Sequence, residues 1–302
     1  MRRFPFFLLA LLGPGCAQLQ YKLAVSSTAE VLRRGATSLE MEPDLKLARD
    51  ALPGTLKTID SFLAAAPTQP VFLTLTAQGY TQYAFGFLED DLEELGSRDT
   101  PERRALVERI TGLYDRATEV GVRLAEVDKK GLGVAMKKDL GAVEGELKRL
   151  GKKAAPGLYW AGLAMASAIN LHRDDVDRVA ELPKARALLE RAYVLDSSYA
   201  THGPALALGV MLAAQGKAVG GDPERAKKLF EEVIAATGGR YLMAKVLYAR
   251  FYGAVTLDRE LFDAQLKNVL GTPASVWPEQ RLANELARRR AARYVKQGDD
   301  LF

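Results

Sequence analysis

Of the side chains that most often carry nucleophilic or zinc chemistry, the sequence holds two histidines, His172 and His202, and one cysteine, Cys16. The histidines have no i, i+4 partner that would set two imidazoles on one helix face, and Asp174 and Asp175 nearby do not complete a ligand set. Cys–His catalysis, a Cys/His zinc site and a disulfide framework are thereby excluded, and no metal or cofactor is expected. Carboxylates are plentiful enough for the acid–base pair of a glycosidase, but no spacing brings two of them to one cleft. Gly220-Gly221-Asp222 offers either an anion site or a turn with an N-cap. The acidic side chain disfavours phosphate and supports the cap. Arg288-Arg289-Arg290 points in three directions on a helix, so a solvated face or a partial partner surface fits it. Glu89-Asp90-Asp91 with Glu93-Glu94 reads as a solvated helix end.

Aromatic residues are the better binding candidates. Tyr159 and Trp160 fit either a core position or the wall of a ligand cavity. Phe72, Tyr80, Tyr83, Phe85 and Phe87 cover more than one helical face, so some of them belong in a core and others suit an interface or a pore lining. The residues taken as a candidate ligand or partner surface are Tyr80, Tyr83, Phe87, Tyr159 and Trp160.

These residues need elements to hold them. Over 302 residues, 48% hydrophobic and 26% charged side chains make an ordinary globular balance, excluding wholesale disorder and a polytopic membrane protein. The net charge of +4 is spread along the chain without a basic block, so nucleic acid is not expected as a partner. Apolar residues recur at helical spacing nearly everywhere: Leu45, Ala48, Leu52, Leu56, Ile59 and Leu63; Met136, Leu140, Val143, Leu147 and Leu150. The same spacing joins Ala226, Leu229, Phe230, Val233 and Ile234; Tyr241, Ala244, Tyr248, Phe251 and Val255; and Leu282, Leu286, Ala287, Tyr294 and Val295. Thr100-Pro101-Glu102 and Asp222-Pro223-Glu224 are helix starts, and Gly238-Gly239 is a helix stop. Only Val71 to Thr76 looks strand-like. The chain is predicted to be all-α.

An offset of alanine, large apolar, then small or apolar residue occurs as Ala185-Leu189-Ala192 and again as Ala226-Phe230-Val233. Trp160-Leu163-Ala164 and Leu208-Gly209-Leu212 occupy the matching positions of the preceding helices. This is the packing code of tetratricopeptide-type (TPR) helix pairs, but the 41-residue spacing exceeds the standard repeat of about 34, which calls for expanded loops such as Lys217 to Asp222. The expected fold is an irregular TPR-like helix-hairpin solenoid over residues 16–302. Its helix pairs fall near 25–65, 70–128, 156–196, 203–237 and 241–270, with an extra helix at 134–150 and a C-terminal capping helix at 277–297. Such an array presents a curved surface suited to proteins or peptides.

The N-terminus, residues 1–15, reads as a lipoprotein-type signal peptide: Met1-Arg2-Arg3, an apolar run from Phe4 to Leu12, then Gly13-Pro14-Gly15 before Cys16. The run falls short of the roughly 20 residues a membrane span needs. Acylation of Cys16 would anchor the protein to a membrane through its N-terminal lipid. Leu12 and Pro14 depart from the usual box, and a plain cleaved signal is the alternative. Ala17 after the cysteine resembles lipoproteins sorted to the outer membrane.

The chain resembles the TatT family, the periplasmic TPR-like T component of tripartite ATP-independent periplasmic (TRAP) transporters. The resemblance runs through Leu158-Tyr159-Trp160, Ala185 to Asp196, Gly220-Gly221-Asp222 with Ala226 to Phe230, and the tail from Arg281-Leu282-Ala283-Asn284 to Phe302. It implies a non-enzymatic, lipid-anchored periplasmic protein that docks the solute-binding P component, assembles as a homo-trimer with internal pores, and binds or channels a small apolar or organic ligand. A generic TPR scaffold lipoprotein of envelope assembly and an α-helical envelope hydrolase using paired carboxylates are the alternatives.

Overall fold

The computed structural model describes residues 14–216 and 220–302, and every regular element among them is helical. The signal segment read over residues 1–15 lies outside the described residues as far as residue 13. So do residues 217–219 of the expanded loop and the side chain of Cys16.

Short polar residues start several of the helices. After α1 (Pro14–Glu40), Asp44 Oδ1 accepts from the backbone N–H groups of Lys46 (2.8 Å) and Leu47 (3.1 Å) and opens α2 (Leu45–Ala65), which runs through Pro53. Proline at the first turn starts α3 (Pro70–Tyr83), which passes through a π-helical turn, Ala84–Leu88, into α4 (Glu89–Glu94). Val71 to Thr76 therefore belongs to a helix. Thr100 caps α5 (Pro101–Ala125). The region read as one helix over 134–150 is two: α6 (Leu132–Ala135) and α7 (Leu140–Arg149). Asp139 interrupts the pattern by capping the second through the N–H of Ala142.

The second half continues with α8 (Ala155–Leu171), α9 (Val176–Ala180), α10 (Leu182–Leu195), α11 (Tyr199–Ala214) and α12 (Pro223–Ala236). As read from sequence, Asp222 caps α12, accepting from Arg225 N at 3.0 Å. Then α13 (Leu242–Leu247) leads through a second π-helical turn, Tyr248–Gly253, towards α14 (Arg259–Gly271), α15 (Arg281–Lys296) and α16 (Gly298–Leu301). The wide turn explains Val255, expected on the buried stripe but exposed: a π-helical turn shifts the register that places Tyr248 inside.

Neighbouring helices bury the seams that the repeat offsets mark. Ala185, Leu189 and Ala192 of α10, and Ala226, Phe230 and Val233 of α12, have no exposed surface. Each such leucine or phenylalanine contributes about 2–3 kcal/mol by leaving water. The closest crossing joins α5 to α8, where a Cβ on Gly157 would stand 2.2 Å from Ala125 N and one on Gly121 2.7 Å from Ala161 N. Only glycine lets these backbones meet. The C-terminal α15 packs on α13 and α14 and also on α1 and α2, so the last helix joins the two ends of the array. The chain closes around its own interior.

Candidate ligand cavity

Within the array lies a partly open cavity of about 560 Å³, walled by side chains from α1, α3, α4, α8, α9, α10, α11, α13 and both π-helical turns. Each π-helical turn contributes one phenylalanine, Phe85 and Phe251, to the lining. Wide turns of this kind re-aim side chains that a regular helix would keep on its stripe. The aliphatic wall comes mainly from Leu163, Leu206, Val210, Met211, Met243 and Leu247. A mostly apolar hollow with a few convergent polar groups is the usual form of a small-molecule site.

The polar groups fall into three sets. Trp160 Nε1 donates to the Tyr199 hydroxyl at 2.9 Å, and Tyr159 lies between them with ring centroids 4.6 Å from Trp160 and 5.7 Å from Tyr199. This aromatic corner rests against a left-handed turn: Ala200, Thr201 and His202 have φ of 48°, 59° and 60°, and a Cβ on Gly203 would strike the Tyr159 ring at 2.5 Å. Left-handed non-glycine residues cost about 1–2 kcal/mol each, and packing against the aromatic corner holds them there.

At the end of α1, Glu40 accepts a hydrogen bond from Gln78 Nε2 at 3.1 Å. Burial pushes its carboxyl above the usual range, opposed only by that amide. Burial first, and then the Glu40 charge, raise the Tyr241 hydroxyl to about 12.

The third set is Glu89, whose Oε1 accepts from the Tyr114 hydroxyl at 2.5 Å. Burial raises its pKa to about 7 against the opposing influence of Arg290 and Tyr114. Arg290 is itself fully buried; it donates to the Phe85 carbonyl and lies 4.1 Å over the Phe85 ring. Around it, Arg289 Nε lies 2.9 Å from Asp90 and Arg293 Nη1 2.6 Å from the same carboxylate, while the Tyr294 hydroxyl donates to Glu93 at 2.8 Å. Two sequence readings are corrected here. Neither the acidic run Glu89 to Glu94 nor the Arg288 to Arg290 triplet is a solvated face: α4 and α15 dock on each other, and Arg288 Nη1 caps α14 through the Leu270 carbonyl at 2.8 Å. Desolvated charges of opposite sign find each other because burial without a partner costs several kcal/mol.

Of the five residues singled out from sequence, Tyr159 and Trp160 line the cavity. Tyr83 and Phe87 lie in the core beside it, with centroids 6.2 Å apart. Tyr80 faces outward from the cavity, donating to Asp60 Oδ2 at 2.6 Å beneath the Arg116 guanidinium. His172 Nε2 lies 2.8 Å from Thr111 Oγ1. Sequence reasoning missed Glu40, Gln78, Glu89 and Arg290. Only the triple arginine carried a signal, because three directions on one helix cannot all face water.

A family model described as the TRAP transporter T-component, TAtT, matches residues 41–302. The chain belongs to the TRAP transporter T-component family. That match includes almost every helix described above and all the cavity residues except Glu40. No curated protein matches the chain. As a T component the protein is an accessory part of a transport system. Among the described residues, no helix is long and apolar enough to cross a membrane.

Proposed function

We propose that this T component is a non-enzymatic, lipid-anchored periplasmic protein that docks the solute-binding P component of its TRAP system and holds a small, largely apolar organic ligand in the central cavity. The observation that carries this reading is the mostly apolar hollow of about 560 Å³ walled by helices from both halves of the chain. It has the size and lining of a small-molecule site. The outer surface of the stacked helices then remains for the P component, and further copies would make a homo-trimer. Tyr159 and Trp160 form part of the ligand wall. Glu40 and Glu89 act as polar anchors, each held by its own hydrogen bond, from Gln78 and from Tyr114. Acylation of Cys16 tethers the N-terminus, with the outer membrane as the proposed destination.

Affinity capture of the mature protein, followed by mass spectrometry of proteins and of extracted small molecules, tests this. The expected result is a co-purifying solute-binding protein and an organic ligand in stoichiometric amount. Capture of envelope-assembly proteins instead, with an empty cavity, would replace the reading with that of a general scaffold.

A further inference from the structure

The cavity carries its charge unevenly. Its ionisable carboxyls are Glu40 and Glu89, and its one guanidinium, Arg173, is exposed at the lining and donates from Nε to Asn170 Oδ1 at 2.9 Å. Glu89 has Arg290 beside it. Glu40 has only the Gln78 amide, and no arginine or lysine pairs with it among the described residues. It is also the last residue of α1, whose final turn contains no basic side chain, so the negative end of the helix dipole adds to the carboxylate.

Aromatic rings complete the arrangement. Tyr159, Trp160, Tyr199 and Tyr241 line the same hollow, and the Glu40 charge acts on both Tyr199 and Tyr241. Tyr159 stands edge-on to Tyr199 with ring centroids 5.7 Å apart, and Tyr241 stands edge-on to Trp277 at 6.5 Å. A partly buried carboxylate without a cation, flanked by electron-rich rings, is the chemistry that recognises an ammonium group.

We infer that the cavity selects organic cations: an alkyl- or arylammonium head lies against Glu40 within the aromatic corner, and an apolar body follows the Met243–Leu247 wall. A carboxylate or phosphate head would meet Glu40 with no cation between them. A neutral head would leave the Glu40 charge desolvated and unpaired. The inference rests on the cavity being the ligand site.

The test uses the full chain carrying Cys16→Ser, purified without detergent, so that no acyl chain or detergent competes for the hollow. Calorimetric titrations compare octyltrimethylammonium, 1-octanol and octanoate, which share one chain length and differ in head charge. The cation is expected to bind at least tenfold tighter than the alcohol, with octanoate weakest. Glu40→Gln keeps a partner for Gln78 and should bring the cation to within threefold of 1-octanol while leaving 1-octanol unchanged. Tyr241→Leu should weaken the cation and spare the alcohol. Octanoate binding as tightly as the cation, or a cation preference that survives Glu40→Gln, would overturn the inference. Binding of all three alike would overturn it and keep the cavity reading. Binding of none would remove both.

Discussion

Arg290 donates to the carbonyl of Phe85, 205 residues earlier in the chain, and stacks over the ring of the same residue. One side chain thereby ties the last long helix to the π-helical turn that supplies a wall of the cavity. Closure of the array and shape of the cavity are one problem in this protein, and the Asp90–Arg293 pair beside it, at 2.6 Å, supports the same joint.

Removing that tie should be costly. Arg290→Met leaves the buried Asp90 short of one cation and the Phe85 carbonyl short of its donor, for an expected loss of about 3 kcal/mol. Urea denaturation checks this. Because the joint is buried, the loss should change little between low and high salt. A loss below about 1 kcal/mol would mean that α15 is held by its apolar face alone.

Glu89 makes the stability depend on pH. Its folded pKa, about 7, lies above its ordinary value of 4.5, so the folded protein holds this proton more tightly than the unfolded chain. Its contribution is therefore most favourable below pH 4.5 and is lost as pH rises through 7, by about 3 kcal/mol in all. Glu89→Gln, which can still accept from Tyr114, should gain melting temperature relative to the parent at pH 8 and gain little at pH 5. Equal differences at the two pH values would show that Glu89 does not carry the proton.

The α5–α8 crossing tolerates no side chain. Gly157→Val would drive atoms into Ala125 N, where a Cβ alone stands at 2.2 Å, and the cost should reach about 3 kcal/mol or prevent folding. Gly145→Ala is the control: nothing stands within 4 Å of its Cβ, and in the interior of α7 it should stabilise by a few tenths to about 1 kcal/mol. Thermal melts of the pair measure the contrast.

Filling the hollow separates ligand binding from stability. Val210→Trp projects into the cavity wall and should abolish 1-octanol binding while moving the melting temperature by only a few degrees. Tyr199→Phe should act differently, leaving Trp160 Nε1 without its acceptor at a cost of about 1–2 kcal/mol.

Anchoring is tested by fractionation. Cys16→Ser should move the protein from the membrane to the soluble periplasmic fraction, and unchanged sedimentation with membranes would count against acylation.

The all-helical class was legible in the sequence because apolar spacing and N-caps are local: Thr100 and Asp222 start helices through bonds to residues three positions on. The repeat offsets marked the buried seams at Leu189 and Phe230 for the same reason, since an α-helix puts residues three and four apart on one face. Two wide turns escaped notice, because no residue type announces a π-helical turn. The charge clusters were assigned to solvent, because at close range nothing distinguishes a hydrated arginine from a buried one. Whether Arg290 and Asp90 face water depends on where α15 lands relative to α4, a docking between segments some 200 residues apart that only the packed array decides. Packing of α1 and α8 on α3, where Glu40 meets Gln78, likewise gives Glu40 and Trp160 a common cavity, because a hollow belongs to the set of helices and to no single one of them.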